Sequence, residues 1–162
     1  MRKIRVVLDC NVFLQSLLNP GSIASQCVDS VRDGRVNLFI SRDTLNEFRD
    51  VIFRPNIFSK LPDMTASQIE LFIDEIVNIS ALVKSVPTKF RFERDPKDEI
   101  FINLAIAAGA DFIVSRDNDL LDLMTTHTDE AKEFRQRFRR LKVVSPPEFL
   151  SIVKEMGLAL SP

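Results

Sequence analysis

The chain has 162 residues, 45% of them hydrophobic and 28% charged, which is enough for one domain with a proper core, too short for two, and too apolar for a disordered chain. A formal net charge of -1 excludes binding to nucleic acid through bulk positive charge, so such a role would depend on where the cations sit. Arg2, Lys3 and Arg5 precede an apolar run that Asp9 interrupts, too short for a signal-peptide core, and no later stretch reaches the length of a membrane span. Cys10 and Cys27 fit no zinc or CxxC spacing. The expectation is a reduced, cytoplasmic protein with no membrane association.

The predicted elements alternate short apolar runs with helical patterns, the signature of parallel βαβ units. Ile4 to Leu8 reads as a strand buried on both faces. Val12 to Leu18 reads as a helix stopped by Asn19-Pro20-Gly21, and Ser22 to Asp33 as a second helix closed by Gly34. Val36 to Ile40 is the second strand, with Ser41 in the N-cap position of a helix carrying Leu45, Phe48 and Ile52 on one face. Arg54 to Met64 holds two prolines and predicts a turn or small helical hairpin. Thr65 and Gln68 have capping-box spacing ahead of Ile69, Phe72, Ile73, Ile76 and Val77.

A third strand is expected at Leu82 to Val86. Asp95-Pro96 then opens a helix, with Asp95 as its cap, that is apolar nearly all round and ends at Gly109. Phe112 to Ser115 is the fourth strand, Leu120 to Met124 begins a helix, and Leu141 to Val144 is the fifth strand before a final helix. Residues 1–156 form a single domain, with a C-terminal tail at 157–162.

Asp9 ends the first strand and Asp117 lies just past the fourth. In an open α/β sheet, ligands bind at the carboxyl ends of strands where the strand order reverses. If these two strands flank the reversal, the carboxylates face one another, an arrangement that needs a cation or a proton. Glu47, on a flank of its helix, and Asp98, in the first turn of the central helix, can join them. Taken alone, Glu47 also fits a surface helix position, and Asp98 fits a residue complementing the helix dipole. Asp119 fits a loop, a cap or a supporting ligand. Oxygen ligands without clustered His or Cys favour Mg²⁺ or Mn²⁺ over zinc.

Val7-Leu8-Asp9-Cys10-Asn11-Val12 resembles the opening motif of PIN domains, and Thr44-Leu45-Asn46-Glu47-Phe48 resembles the helix bearing the second acid. Asp95-Pro96-Lys97-Asp98-Glu99-Ile100-Phe101 and the block from Ala105 to Leu121 match the most specific part of the family pattern, and Val144 to Leu150 looks like its closing strand and helix. The resemblance runs from about Ile4 to Val153 and points to the bacterial toxin components of toxin–antitoxin pairs, the VapC-like ribonucleases. It implies a three-layer α/β fold around a parallel sheet of order 3-2-1-4-5 and a metal-dependent endoribonuclease acting on single-stranded RNA. An antitoxin partner and a homodimer are implied as well. Asp9, Glu47, Asp98 and Asp117 carry over as the catalytic and metal-binding acids, with Asn11 and Ser115 in support.

Three features depart from the pattern. Cys10 replaces a small residue and is expected to point away from Asp9. Arg116 stands where Gly is common, either holding phosphate or crowding the site. Thr125 to Arg140 is longer than usual, and Ala131, Phe134, Phe138 and Leu141 predict an added amphipathic helix. Arg42, Arg116, Arg135, Arg139 and Arg140 are the candidate contacts to RNA phosphates. A haloacid-dehalogenase phosphatase would need a second Asp where Asn11 stands, and a response-regulator receiver would need a Lys ending the last strand, which Lys142 begins. The alternative from another class is a PIN fold that binds RNA or protein without cutting it.

Overall fold

The computed structural model describes residues 2–61 and 63–160, with side chains described through Gly157. In chain order the elements are β1 (Ile4–Leu8), α1 (Cys10–Leu18), α2 (Ile23–Arg32), β2 (Val36–Ile40), α3 (Arg42–Ile52), α4 (Pro55–Phe58), α5 (Ala66–Ile79) and β3 (Ser80–Leu82). They continue with α6 (Glu99–Ala108), β4 (Phe112–Val114), α7 (Asn118–Leu121), a 3₁₀ turn at Asp122–Met124, α8 (Asp129–Arg137), β5 (Lys142–Val144) and α9 (Pro146–Leu160). The strands form one sheet of order β3-β2-β1-β4-β5 in which every neighbouring pair is parallel, as the sequence predicted. Helices surround it. α1, α2 and α9 pack on one another, while α6 lies along β1, β2 and β4. No helix among the described residues is long and apolar enough to cross a membrane.

The strand order follows from burial. Ile4, Val6, Val7 and Leu8 of β1 are all buried, so this strand must be central and covered on both faces. The reversal falls between β1 and β4, because the chain first builds outward through β2 and β3 and then returns to the other side of β1.

Several helix ends form as their residues dictate. Ser41 caps α3 by accepting from Thr44 N, and Thr65 and Gln68 cap α5 reciprocally, with Gln68 N donating to Thr65 Oγ1 at 3.2 Å and Thr65 N to Gln68 Oε1 at 2.8 Å. Gly109 ends α6 in the left-handed region at φ 61°, where a Cβ would be strained. The expected amphipathic helix is α8, with Ala131 and Phe134 buried and Phe90 edge-on to Phe134 at 5.5 Å between centroids.

Other boundaries differ from expectation. α1 begins at Cys10 instead of Val12, which places Asp9 at its N-cap. β3 is Ser80–Leu82 instead of Leu82–Val86, because α5 runs directly into it, and Val83 N donating to Ile40 O at 2.8 Å is the last bond of that ladder. α9 runs past Met156 to Leu160, so the expected tail boundary falls inside a helix. Gly157 costs a helix only about 1 kcal/mol relative to Ala and does not by itself end one. Ser161 and Pro162 lie outside the described residues.

The segment from Val83 to Asp98 carries no regular element, yet it is fastened to α6. Buried Asn103 accepts from Lys89 N at 2.7 Å and Phe90 N at 2.9 Å, and donates to Phe90 O at 2.8 Å and Glu99 O at 3.1 Å. Glu99 Oε1 accepts from Phe92 N at 2.8 Å, and Phe90 and Phe92 drop into the core. These bonds lay the strap across the top of α6 and deliver Arg94 and Asp95 to the carboxyl ends of the strands. Replacing Asn103 by Ala leaves two strap amides and a carbonyl without partners in a buried place, so it should destabilise the protein by about 2–4 kcal/mol. Chemical denaturation of wild type beside Asn103→Ala checks this, and a loss below about 1 kcal/mol would mean that the strap is held by its phenylalanines alone.

Candidate metal centre

The site begins with two backbone bonds that extend the sheet. Asp9 N donates to Val114 O at 3.0 Å and Ser115 N donates to Val144 O at 3.0 Å, so β1 and β4 deliver Asp9 and Ser115 side by side. The fully buried Ser115 hydroxyl then joins the acids. It donates to Asp9 Oδ2 at 2.6 Å and accepts from Asp117 N at 2.9 Å. Asp117 caps α7, its Oδ1 accepting from Asp119 N at 2.9 Å. Asp98, at the start of α6, faces Asp117 closely enough for the two carboxyls to share a proton.

Burial sets the electrostatics of this group. Asp9 is only 2% exposed, and desolvation lifts its pKa to about 6. The Ser115 hydroxyl and the first-turn N–H groups of Cys10 and Asn11 offset part of that rise, although none of these amides closes a capping hydrogen bond. Asp98 is lifted further, to about 9, first by burial, then by the proton shared with Asp117, then by the charges of Asp9, Asp117 and Asp95. Its Oδ2 is buried without a hydrogen-bond partner among the described residues. A carboxylate oxygen in that position must be protonated or coordinated. Asp9, Asp98 and Asp117 offer only oxygen donors, the kind a hard divalent cation takes.

A second, more open group overlaps the first. Carboxylate oxygens of Asp95, Asp117 and Asp119 lie within 4.8 Å of one another, all three residues half-buried. Asp117 is common to both groups. The sequence assigns Asp95 to the cap of α6, but α6 starts at Glu99. Asp95 sits one turn earlier, its Oδ1 accepting from Lys97 N at 3.2 Å and its carbonyl from Asp98 N at 3.1 Å. That turn frees Asp95 to join the acids. Arg94, which no sequence motif singles out, pairs with Asp119 Oδ1 at 2.7 Å and Asp122 Oδ2 at 2.8 Å, holding α7 and the following turn to the strap.

The remaining expected residues fall into three sets. Glu47 is half-buried on α3, and its carboxylate makes no hydrogen bond or ion pair among the described residues. It reaches the centre through its field: the charges of Asp9, Glu47 and Asp98 all act on the Cys10 thiol, which burial and these charges push up to about 12. Cys10 is thus a buried thiol held neutral beside the acids. Asn11 is exposed, and its side chain makes no hydrogen bond among the described residues, so its contribution to Asp9 is its backbone N–H.

Arg42 and Arg116 are exposed and unpaired among the described residues at the carboxyl ends of β2 and β4, the edge that carries the acids. The Arg135 guanidinium donates to Leu123 O and Thr126 O, both at 2.7 Å, and so braces the turn before α8. Arg139 and Arg140 border a cavity of about 440 Å³ with Arg2, Gly109 and Asp111, at the amino ends of the strands and thus at the opposite end of the sheet from the acids.

The raised carboxyls make the metal-free protein sensitive to pH. Both hold a proton to higher pH when folded than when unfolded, where Asp titrates near 3.8, so the native state binds the extra protons and their contribution is lost as pH rises through about 6 for Asp9 and about 9 for Asp98. In a chelator, Asp98→Asn should therefore melt higher than wild type by a margin that grows from pH 5 to pH 9, at about 2–4 °C per kcal/mol for a domain of this size. Saturating Mn²⁺ should reverse the order, because the cation stabilises only the intact carboxylates. A pH-independent margin would contradict the protonation of Asp98.

Comparison with known proteins places this arrangement. A family model described as PIN domain matches residues 5–119, and PIN domains are generally metal-dependent nucleases. The chain is 30% identical over 148 residues to the uncharacterized protein MJ1680 of Methanocaldococcus jannaschii, covering 91% of this chain and 90% of that one. That relative is archaeal, whereas the sequence motifs pointed to a bacterial subgroup. The fold resembles the crystal structure of PAE2754 from Pyrobaculum aerophilum, with a TM-score of 0.58 at 12% identity, covering 94% of this chain and 90% of the other. The match from Arg5 to Asp119 takes in β2, β4 and nearly all of β1, together with Asp9, Asp95, Asp98, Asp117 and Asp119, and on that ground the chain belongs to the PIN-domain family.

Proposed function

We propose that the protein is an endoribonuclease that hydrolyses phosphodiester bonds in single-stranded RNA with the help of Mg²⁺ or Mn²⁺. The observation that carries this reading is Asp98 Oδ2, buried and without a hydrogen-bond partner among the described residues, on a carboxyl that neighbours Asp9 and Asp117. Asp9, Asp98 and Asp117 would hold the cation, with Asp95 and Asp119 available on the open side. When bound, the cation lowers the pKa of a coordinated water and offsets charge developing on the phosphate.

The chain's own groups supply the rest. The Ser115 hydroxyl fixes the carboxylate of Asp9, and Arg94 holds Asp119 and Asp122 in place. Glu47, half-buried and unpaired among the described residues, would orient the attacking water and accept its proton. Arg42 and Arg116 stand where the flanking phosphates of a bound strand would pass. An acidic floor repels RNA unless cations flank it, and these two are unspent.

The role as toxin of a toxin–antitoxin pair, with an antitoxin partner and a homodimeric state, rests on the motif resemblance. The cytoplasm as location rests on that and on the unpaired cysteines. Purified wild type should cut single-stranded RNA only with added Mg²⁺ or Mn²⁺, and Asp9→Asn should lower the rate by at least about 10³-fold, the scale of losing a principal charge-stabilising group, while remaining folded. Its expression should also cease to arrest growth. Equal cleavage by the two proteins, or cleavage unaffected by chelation, would overturn the reading, and a folded wild type that binds RNA without cutting it would mark a binding module.

A further inference from the structure

Next to the acids, on the other side of Arg116, lies a cavity of about 350 Å³. Its polar lining includes Gln15 and Asn19 of α1 and Arg116, and its apolar lining includes Ile23 of α2 and Pro146 and Pro147 of α9. Arg116 stands between Ser115 and Asp117, so its backbone belongs to the acidic centre while its residue borders the cavity. Its guanidinium makes no hydrogen bond or ion pair among the described residues, and it does not pair with the adjacent carboxylates. An unpaired cation this near an acidic cluster is open to an anion from outside.

The other walls narrow the class of occupant. Asn19 Nδ2 donates to Gln15 Oε1 at 3.1 Å, which leaves Gln15 Nε2 to donate and Asn19 Oδ1 to accept. A paired amide donor and acceptor in one place complements the edge of a nucleobase. Ile23 is 45% exposed, a large apolar side chain in the open, beside the exposed ring of Pro147, with buried Pro146 behind them in the lining. Together they offer a ring-sized apolar surface of the kind a base covers. Gln15 follows Asp9 by six residues on α1, roughly 9 Å along the axis at 1.5 Å per residue, so the cavity is within a short reach of the acids.

We propose that this cavity holds one base of the single-stranded RNA substrate, with Arg116 on the phosphate between that base and the bond to be cut and with Gln15 and Asn19 reading the base edge. The proposal rests on the nuclease reading and adds a determinant of sequence preference to it. A chain with no Trp or Tyr cannot build this subsite by stacking on either ring, and here amides, prolines and an isoleucine take that place.

The test uses Asp9→Asn protein, which keeps RNA intact, and fluorescence anisotropy with short single-stranded homopolymers of each of the four bases. One homopolymer should bind about tenfold tighter than the weakest, the scale of one or two hydrogen bonds to a base edge. Adding Arg116→Ala should weaken all four and lower the salt slope by about one phosphate contact. Adding Gln15→Ala with Asn19→Ala should level the ranking while keeping the salt slope. RNA binding unchanged in strength and ranking by these substitutions would overturn the subsite and leave the nuclease reading standing. If Asp9→Asn binds no RNA, the cleavage ends made by wild type and by Gln15→Ala/Asn19→Ala are sequenced instead: a shifted sequence profile supports the subsite, and an unchanged one overturns it. Neither binding nor cleavage by any form would overturn both.

Discussion

The parallel pairing of β1 with β4, Val6 to Phe112, Val7 to Ile113 and Leu8 to Val114, positions everything that follows. It brings the end of the first strand against the end of the fourth at the point where the sheet's order reverses. Asp9 and Ser115 are then neighbours by backbone geometry, before any side chain chooses a rotamer. The 2.6 Å bond from Ser115 to Asp9 and the 2.9 Å bond from Asp117 N to Ser115 lock that geometry in place. α6 adds Asp98 from the side. A carboxylate group this close, this buried and this poor in paired cations is unfavourable in the metal-free state.

That cost is the physical link between fold and function. An apolar residue at Asp98 would relieve desolvation and repulsion, so the carboxyl there costs the metal-free protein stability. The protein contains the cost locally. Arg94 pairs with the outer acids Asp119 and Asp122, leaving the inner Asp9, Asp98 and Asp117 without an ion-paired Lys or Arg among the described residues. The strap that carries Arg94 is held by Asn103 and Glu99 of α6, the same helix that carries Asp98 at its start. Loosening the strap should therefore disturb the charge balance of the site as well as the core.

The fold was readable because its signals are periodic. β1 as a continuous apolar run, capping pairs at Ser41 and Thr65, and Gly109 as a helix stop each report a local physical preference that tertiary contacts do not override. Asp9 and Asp117 were readable from topology, since they follow strand ends in a parallel sheet, whereas Ser115 came only with the family resemblance. Asp95 and Arg94 were not, because the strap between β3 and α6 has no period, and its path is set by buried Phe90, Phe92 and the distant amide of Asn103. The positions of the cations were not legible for a different reason. Arg139 and Arg140 precede β5 and so stand at the amino end of the sheet, while Arg135 bonds two carbonyls that only the folded turn presents. Charge clustering along the chain carries no hint that Arg42 and Arg116, one residue each, stand on the acidic edge.

The central claim is that the carboxylates of buried Asp9 and Asp98 and half-buried Asp117 form a divalent-cation site. Anomalous diffraction at the manganese edge from crystals grown with Mn²⁺ tests it most directly. The expected result is a peak bonded to Asp98 Oδ2 and to Asp117, at about 2.0–2.2 Å, with Asp9 in direct or water-bridged contact. A peak confined to Asp95 and Asp119 with Asp98 Oδ2 still unpartnered, or no peak at saturating Mn²⁺, would contradict it.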